Sequence, residues 1–149
     1  MAETPRLKVL FLCTGNSCRS QMAEAWARAL KADQIEPYSA GVSPHGLDPR
    51  AVAAMAEVGI DISHQKSKDI SELGGLNFDW VITLCDNANQ NCPFFPGPVK
   101  RMHAGFDDPP LLAAAAKNEN EAMAPYRRVR EEIKAFVQGL PQSLGQNPA

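Results

Sequence analysis

No apolar run in this sequence is longer than a strand, and the N-terminus has no signal-peptide core. A bilayer-spanning helix needs about 20 consecutive apolar residues, so neither insertion nor export is expected, and the expected compartment is the cytoplasm. Excess positive charge is missing as well: Lys+Arg 15 against Asp+Glu 17 gives a formal net charge of −2. Without a global positive field, neither nucleic acid nor a membrane is an expected partner, and any anion site must be built locally. Histidine is scarce and scattered, at His45, His64 and His103, while Cys13-x4-Cys18 and Cys85-x6-Cys92 are poor matches to paired zinc ligands, so no metal site is expected. There is no internal repeat. What remains, 149 residues of which 44% are hydrophobic, suits a single domain over 1–149 with flexible tails at about 1–6 and 141–149. A monomer is the default expectation. Four cysteines without an export signal are expected as reduced thiols, which makes them candidates for chemistry.

The chain is organised around Cys13-Thr14-Gly15-Asn16-Ser17-Cys18-Arg19-Ser20. This stretch follows the apolar run Val9-Leu10-Phe11-Leu12 and precedes a helical pattern from Gln21, so it joins a buried strand to a helix. Gly15 and Asn16 tolerate left-handed backbone, which lets successive N–H groups point into one concavity, and the helix adds its positive dipole end. Arg19 brings a planar fork of donors suited to a tetrahedral oxyanion. Cys13, at the rim of such a cradle, would sit in positive potential that lowers a thiol pKa and makes it a nucleophile. The nucleotide P-loop is excluded, because its Gly-Lys-Ser/Thr ending is absent. A lone cysteine between a strand and a helix is more often structural; here an arginine, a glycine, an asparagine and two serines accompany it.

Taken in order, the pattern predicts a strand at 8–12, a helix at 21–31, a strand at 35–40 and a loop at 41–46. Asp48-Pro49 reads as an N-cap followed by proline at the first helical position, giving a helix at 49–58 that stops at Gly59. A short helix is predicted at 68–73 and a fully buried strand at 78–84, ending at Cys85. A fourth strand is predicted at 99–103. Residues 111–123 read as a mobile, partly helical insertion, and an amphipathic helix is predicted from Pro125 to about Leu140. Alternating strands and helices argue for the α/β class, a doubly wound parallel sheet. Ligands of such sheets bind beyond the carboxyl ends of the strands, so Cys13 and Cys85 should share one crevice. In Asp107-Asp108-Pro109-Pro110 either aspartate could protonate a leaving oxygen, although such a run is more often a solvated turn.

The loop resembles the C-x5-R-S signature of the low-molecular-weight protein tyrosine phosphatase fold. The run from Cys13 to Glu24, continued by Tyr38-Ser39-Ala40-Gly41, is similar to the thioredoxin-coupled arsenate reductases built on that fold. The similarity extends from about residue 8 to 109 and resumes in the final helix. It implies a single-domain sheet of about four parallel strands flanked by helices. Arsenate would be held by Thr14, Gly15, Asn16, Ser17, Cys18, Arg19 and Ser20, with Cys13 as the nucleophile. The family places its general acid just before proline, which selects Asp108. The resemblance further implies that Cys85 attacks the Cys13 adduct, that Cys92 then resolves it, and that the resulting Cys85-Cys92 disulfide is reduced by thioredoxin with no bound cofactor. Residues seven apart on a helix lie about 10.5 Å apart, beyond disulfide reach, so a helical 85–92 segment would have to rearrange to close that bond. Ser20, by resemblance, hydrogen-bonds the Cys13 sulfur, whereas Cys18 receives no role of its own in the relay.

One departure concerns a cation. Some relatives bind potassium through positions matching Asn16, Glu24, Ser39 and an aspartate, but the fourth position here is Lys68, whose ammonium is expected to replace the ion. Two competing functions share the loop. A low-molecular-weight phosphotyrosine phosphatase needs Cys13, Arg19 and an Asp-Pro acid but neither Cys85 nor Cys92, and usually carries tyrosines where Pro110-Leu111-Leu112 stands. A noncatalytic arsenite sensor would use the thiols as soft ligands.

Overall fold

A computed structural model of the protein describes residues 6–85 and 99–145. Its elements are β1 (Leu7–Cys13), α1 (Arg19–Leu30), β2 (Ile35–Gly41), α2 (Pro49–Ala56), a 3-10 turn (Ile70–Leu73), β3 (Trp80–Thr83), β4 (Lys100–His103), α3 (Pro109–Ala113) and α4 (Glu119–Gln138). The predicted site residue Cys92 lies outside the described residues.

The four strands form one parallel sheet in the order β2-β1-β3-β4. β1 is central, pairing Leu7↔Ile35 through Cys13↔Gly41 on one side and Val9↔Trp80 through Leu12↔Thr83 on the other. Strand alternation sends Val9 and Phe11 into a large core with Met22, Trp26, Met55, Ile82, Tyr126 and Ile133. Leu10 and Leu12 enter a second core with Phe78, Val81 and Cys85. Burial on both faces explains why β1 is continuously apolar. Each fully buried Leu or Phe contributes about 1.5–3 kcal/mol, so β1 is a firm base for the loop that follows it. The chain leaves β1 toward β2 and later crosses to β3 on the opposite side. The switch point therefore falls between the carboxyl ends of β1 and β3, where Cys13 and Cys85 lie.

Several boundaries differ from the sequence expectation. α1 starts at Arg19 instead of Gln21, so Arg19 and Ser20 belong to its first turn. The helix expected at 68–73 shrinks to the 3-10 turn because Asp69 caps it, its side chain accepting from Ser71 N while Glu72 reaches back to Asp69 N. Residues 111–123 are partly helical, as expected, and contribute to the core: α3 ends at Ala113, α4 begins at Glu119, and Ala113, Ala122 and Met123 are core residues. The final helix starts six residues before Pro125. Asn118 caps it by accepting from Glu121 N at 2.9 Å, and Glu119 and Glu121 complement its dipole. Pro125 is accommodated inside the helix at the loss of one ladder hydrogen bond. Residues 141–145 continue as turns that return Leu144 to the core.

Candidate active site

The loop after β1 is shaped by the segment running beside it. Val42 N donates to Cys13 O (3.2 Å), and Ser43 N, His45 N and Asp48 N donate to the carbonyls of Thr14, Gly15 and Ser17, each at 2.9 Å. A planar trans peptide points its N–H opposite to its C=O, so drawing these carbonyls toward 42–48 turns their partner N–H groups the other way, into the concavity. Asn16 takes the left-handed conformation, φ 47°. Its fully buried amide holds the turn: Nδ2 donates to Ser20 Oγ (2.9 Å), and Oδ1 accepts from Gln21 Nε2 (3.0 Å) and Lys68 N (2.7 Å). α1 begins behind a buried first turn with no side-chain cap and no acidic residue, leaving its orphan N–H groups and positive dipole end for an anion.

The loop opens into a cavity of about 460 Å³ lined by Cys13, Thr14, Gly15, Ser17, Cys18, Arg19, the 45–49 segment, Asp108 and Pro110. Arg19 is nearly buried and is aimed by its Nη1, which donates to Phe106 O at 2.9 Å, while Nη2 lies 3.6 Å from Asp108 Oδ1. The two neighbouring aspartates have separated. Asp107 Oδ2 accepts from Arg128 Nη2 at 2.9 Å on α4. Asp108 stands at the N-cap position of α3 without capping it, and its carboxylate lines the cavity. Of these two aspartates, Asp108 alone lines this cavity.

Cys13, Cys18 and Cys85 are buried free thiols. Cys13 and Cys85 lie side by side at the carboxyl ends of β1 and β3, close enough for the two thiols to interact, and Thr14 Oγ1 lies 3.1 Å from Cys85 Sγ. The expected lowering of the Cys13 pKa is not found. The contact with Cys85, then burial, pushes this thiol well above its ordinary range, and Arg19 pulls it down only in part. Burial, then Asp48, also raises Cys18. Cys85 in addition lines a second cavity of about 310 Å³ with Arg19, Gly105, Phe106, Asp107 and Asp108. Ser20 accepts a hydrogen bond from Asn16, which orients its hydroxyl.

Around Lys68 the residues matching a cation site do come together, but they do not fit a metal ion. Ser39 Oγ (2.7 Å) and Arg28 Nη1 (2.8 Å) donate to the two oxygens of Glu24, and Asn16 Oδ1 is engaged twice. The Lys68 ammonium lies in the field of Glu24 and donates to Lys66 O at 2.8 Å; burial lowers its pKa while Glu24 and Glu72 oppose that shift. The adjacent Asp69 is occupied as a cap. Among the described residues no group of three His, Cys, Asp or Glu could hold a metal, and no helix is long and apolar enough to cross a membrane.

Sequence patterns missed the 42–48 wall, with His45, Leu47 and Asp48, and the buried Gln21. Gln21 Nε2 donates to Asn16 O, Asn16 Oδ1 and Lys66 O, and its Oε1 accepts from Gln65. A glutamine on the apolar stripe of α1 was the one local signal for it.

A C-x5-R loop between a parallel strand and a helix, with its cysteine and an Asp-Pro carboxylate lining one cavity, is an arrangement suited to holding an oxyanion against a thiol. The chain belongs to the low molecular weight phosphotyrosine protein phosphatase family, whose profile matches residues 8–149. It is 54% identical over 125 residues to an arsenate reductase of Bacillus subtilis, covering 84% of this chain and 88% of the relative. An arsenate reductase in a phosphate-binding state superposes with a TM-score of 0.67 at 34% identity, covering 90% of this chain and 95% of the other. A thioredoxin-dependent arsenate reductase of Corynebacterium glutamicum superposes with a TM-score of 0.63 at 25% identity, covering 95% and 63%.

Proposed function

We propose that the chain is an arsenate reductase that works through a thiol relay and is recharged by thioredoxin. Arsenate enters the loop cavity, where loop N–H groups and Arg19 hold its oxygens. Cys13, as thiolate, attacks arsenic; Asp108 protonates the oxygen that departs as water, leaving a Cys13–S–As(V) adduct. Cys85 then attacks the Cys13 sulfur. The S–As bond breaks with its electron pair passing to arsenic, so arsenic is reduced to arsenite and the two cysteines are oxidised to a disulfide. Cys92 next attacks Cys85 and frees Cys13, and thioredoxin returns two electrons and two protons to the Cys85-Cys92 pair.

The observation that carries this reading is the position of Cys85 beside Cys13. A phosphatase has no use for a second thiol beside its nucleophile. For a relay it is a requirement, because sulfur must reach sulfur. The second cavity beside Cys85 supports the same reading, since a relay thiol must itself be approached. The similarity to named arsenate reductases, one of them thioredoxin-dependent, agrees with it. The phosphatase reading keeps the support of the cradle, Arg19 and Asp108. Arsenate-dependent NADPH oxidation with thioredoxin and thioredoxin reductase separates the two. Multiple turnovers that vanish in Cys92→Ser are expected; no arsenate turnover with brisk aryl phosphate hydrolysis would make the chain a phosphatase.

A further inference from the structure

Asp108 is not the only carboxylate on the oxyanion cavity. Asp48, at the N-cap of α2, lines it too, and its N–H is bonded to Ser17 O of the loop. Both carboxylate oxygens act as acceptors: Oδ1 takes the Arg50 N–H at 2.9 Å and Oδ2 takes the Tyr126 O–H at 2.5 Å. Tyr126 comes from α4 and is 1% exposed. Burial, then the Asp48 carboxylate, pushes its phenol pKa up, so it remains the donor. The Arg50 side chain is engaged in a two-pronged contact with Glu119 at 3.1 and 3.2 Å and also interacts with Tyr126, behind the Asp48 carboxylate. The ionisable groups facing the cavity from its surrounding elements are thus Arg19, His45, Asp48, Asp108 and the thiols. One guanidinium is set against two carboxylates, and loop N–H dipoles supply the rest of the attraction. Repulsion from a fixed carboxylate grows in proportion to ligand charge, so a dianion feels about twice what a monoanion of like shape feels.

We propose that Asp48, oriented by Tyr126, is a specificity-determining residue that biases the cavity toward tetrahedral oxyanions of lower charge. The inference rests on the cavity's taking an oxyanion, not on arsenic chemistry. Its consequence is that unreactive dianions are held weakly, while the attraction shared by all oxyanions, from Arg19 and the loop, is untouched.

The test is calorimetric titration at one pH and constant ionic strength with two tetrahedral anions of fixed charge, sulfate (dianion) and perrhenate (monoanion). Asp48→Asn is isosteric, and asparagine caps a helix as well as aspartate, so α2 keeps its start. This variant should bind sulfate about 3- to 10-fold more tightly and perrhenate by about the square root of that factor, about 2- to 3-fold. Tyr126→Phe leaves the carboxylate less compensated, so sulfate should weaken, and perrhenate should weaken by about the square root of that factor. A merely structural pair would change the two affinities by the same factor, leaving the sulfate-to-perrhenate ratio unmoved, and that result overturns the proposal. If Tyr126→Phe does not fold, the sulfate-to-perrhenate ratio in Asp48→Asn decides alone. Wild type that binds neither anion would overturn the oxyanion reading itself, and this inference with it.

Discussion

Adding one methyl group to Gly41 should damage the oxyanion loop without touching any reacting atom. Gly41 ends β2 opposite Cys13, and a Cβ there would lie 2.6 Å from Thr14 O, 2.9 Å from Asn16 N and 3.1 Å from Asn16 Cβ. The first two are backbone atoms, closer than a Cβ approaches in folded proteins, and neither can rotate away. Gly41 is itself tied down through its N–H to Lys68 O at 2.8 Å, and Thr14 O is bonded to Ser43 N at 2.9 Å. The methyl therefore fits only if β2 and the loop part. Overpacking costs about 1–3 kcal/mol, and with two backbone contacts Gly41→Ala should fall in the upper part of that range. Since the displaced element is the loop itself, phosphate affinity should fall by about tenfold or more. Gly75→Ala is the control, because nothing lies within 4 Å of its added Cβ; it should stay within about 1 kcal/mol of wild type. Urea unfolding and phosphate titration of both variants make the comparison. If Gly41→Ala matches Gly75→Ala in stability and binds phosphate normally, the argument that this glycine makes room for the loop is wrong.

Three further outcomes follow from the site. Cys85 is the largest cause raising the Cys13 pKa and Arg19 opposes it, so Cys85→Ala should move the pH midpoint of Cys13 alkylation by iodoacetamide downward, read by peptide mapping; an unchanged or higher midpoint would count against the thiol contact. Asp108→Asn should lower arsenate turnover by about 100-fold or more, the scale of lost general acid catalysis. Asp107→Asn should change it by less than about 3-fold, because that carboxylate faces Arg128, and equal losses would remove the distinction between the two. With the Lys68 ammonium in the field of Glu24, one of the would-be cation ligands, turnover should not differ between potassium and sodium at constant ionic strength; clear stimulation by potassium would refute the replacement.

Much of the fold was legible locally. The largely apolar runs at 9–12 and 78–84 marked buried strands, of which the second is trimmed to Trp80–Thr83, because a parallel sheet covered on both sides leaves little room for alternating polar residues. Asp48-Pro49 announced α2 through the chemistry of a helix start. The α4 boundary was misjudged because Pro125 carries the same local signal whether it opens a helix or sits inside one; Asn118 and the core contacts of Ala122 and Met123 decide between the two. The oxyanion loop was legible because glycine, asparagine, arginine and a strand-to-helix transition all act within eight residues.

By itself, then, the sequence determined the α/β class, the loop and the identity of its chemical groups, since these follow from backbone preference and short-range periodicity. Tertiary structure alone decided which groups meet. It brought Cys85 against Cys13, raising a thiol that the loop alone would lower. It sent Asp107 to Arg128 and Asp108 to the cavity, and laid 42–48 along the loop so that its carbonyls face outward. It also placed Tyr126 on Asp48 across 78 positions of chain. The physical reason is that a pKa, an ion pair or a peptide's orientation is set by atoms a few ångströms away, and in a parallel sheet those atoms come from distant parts of the chain.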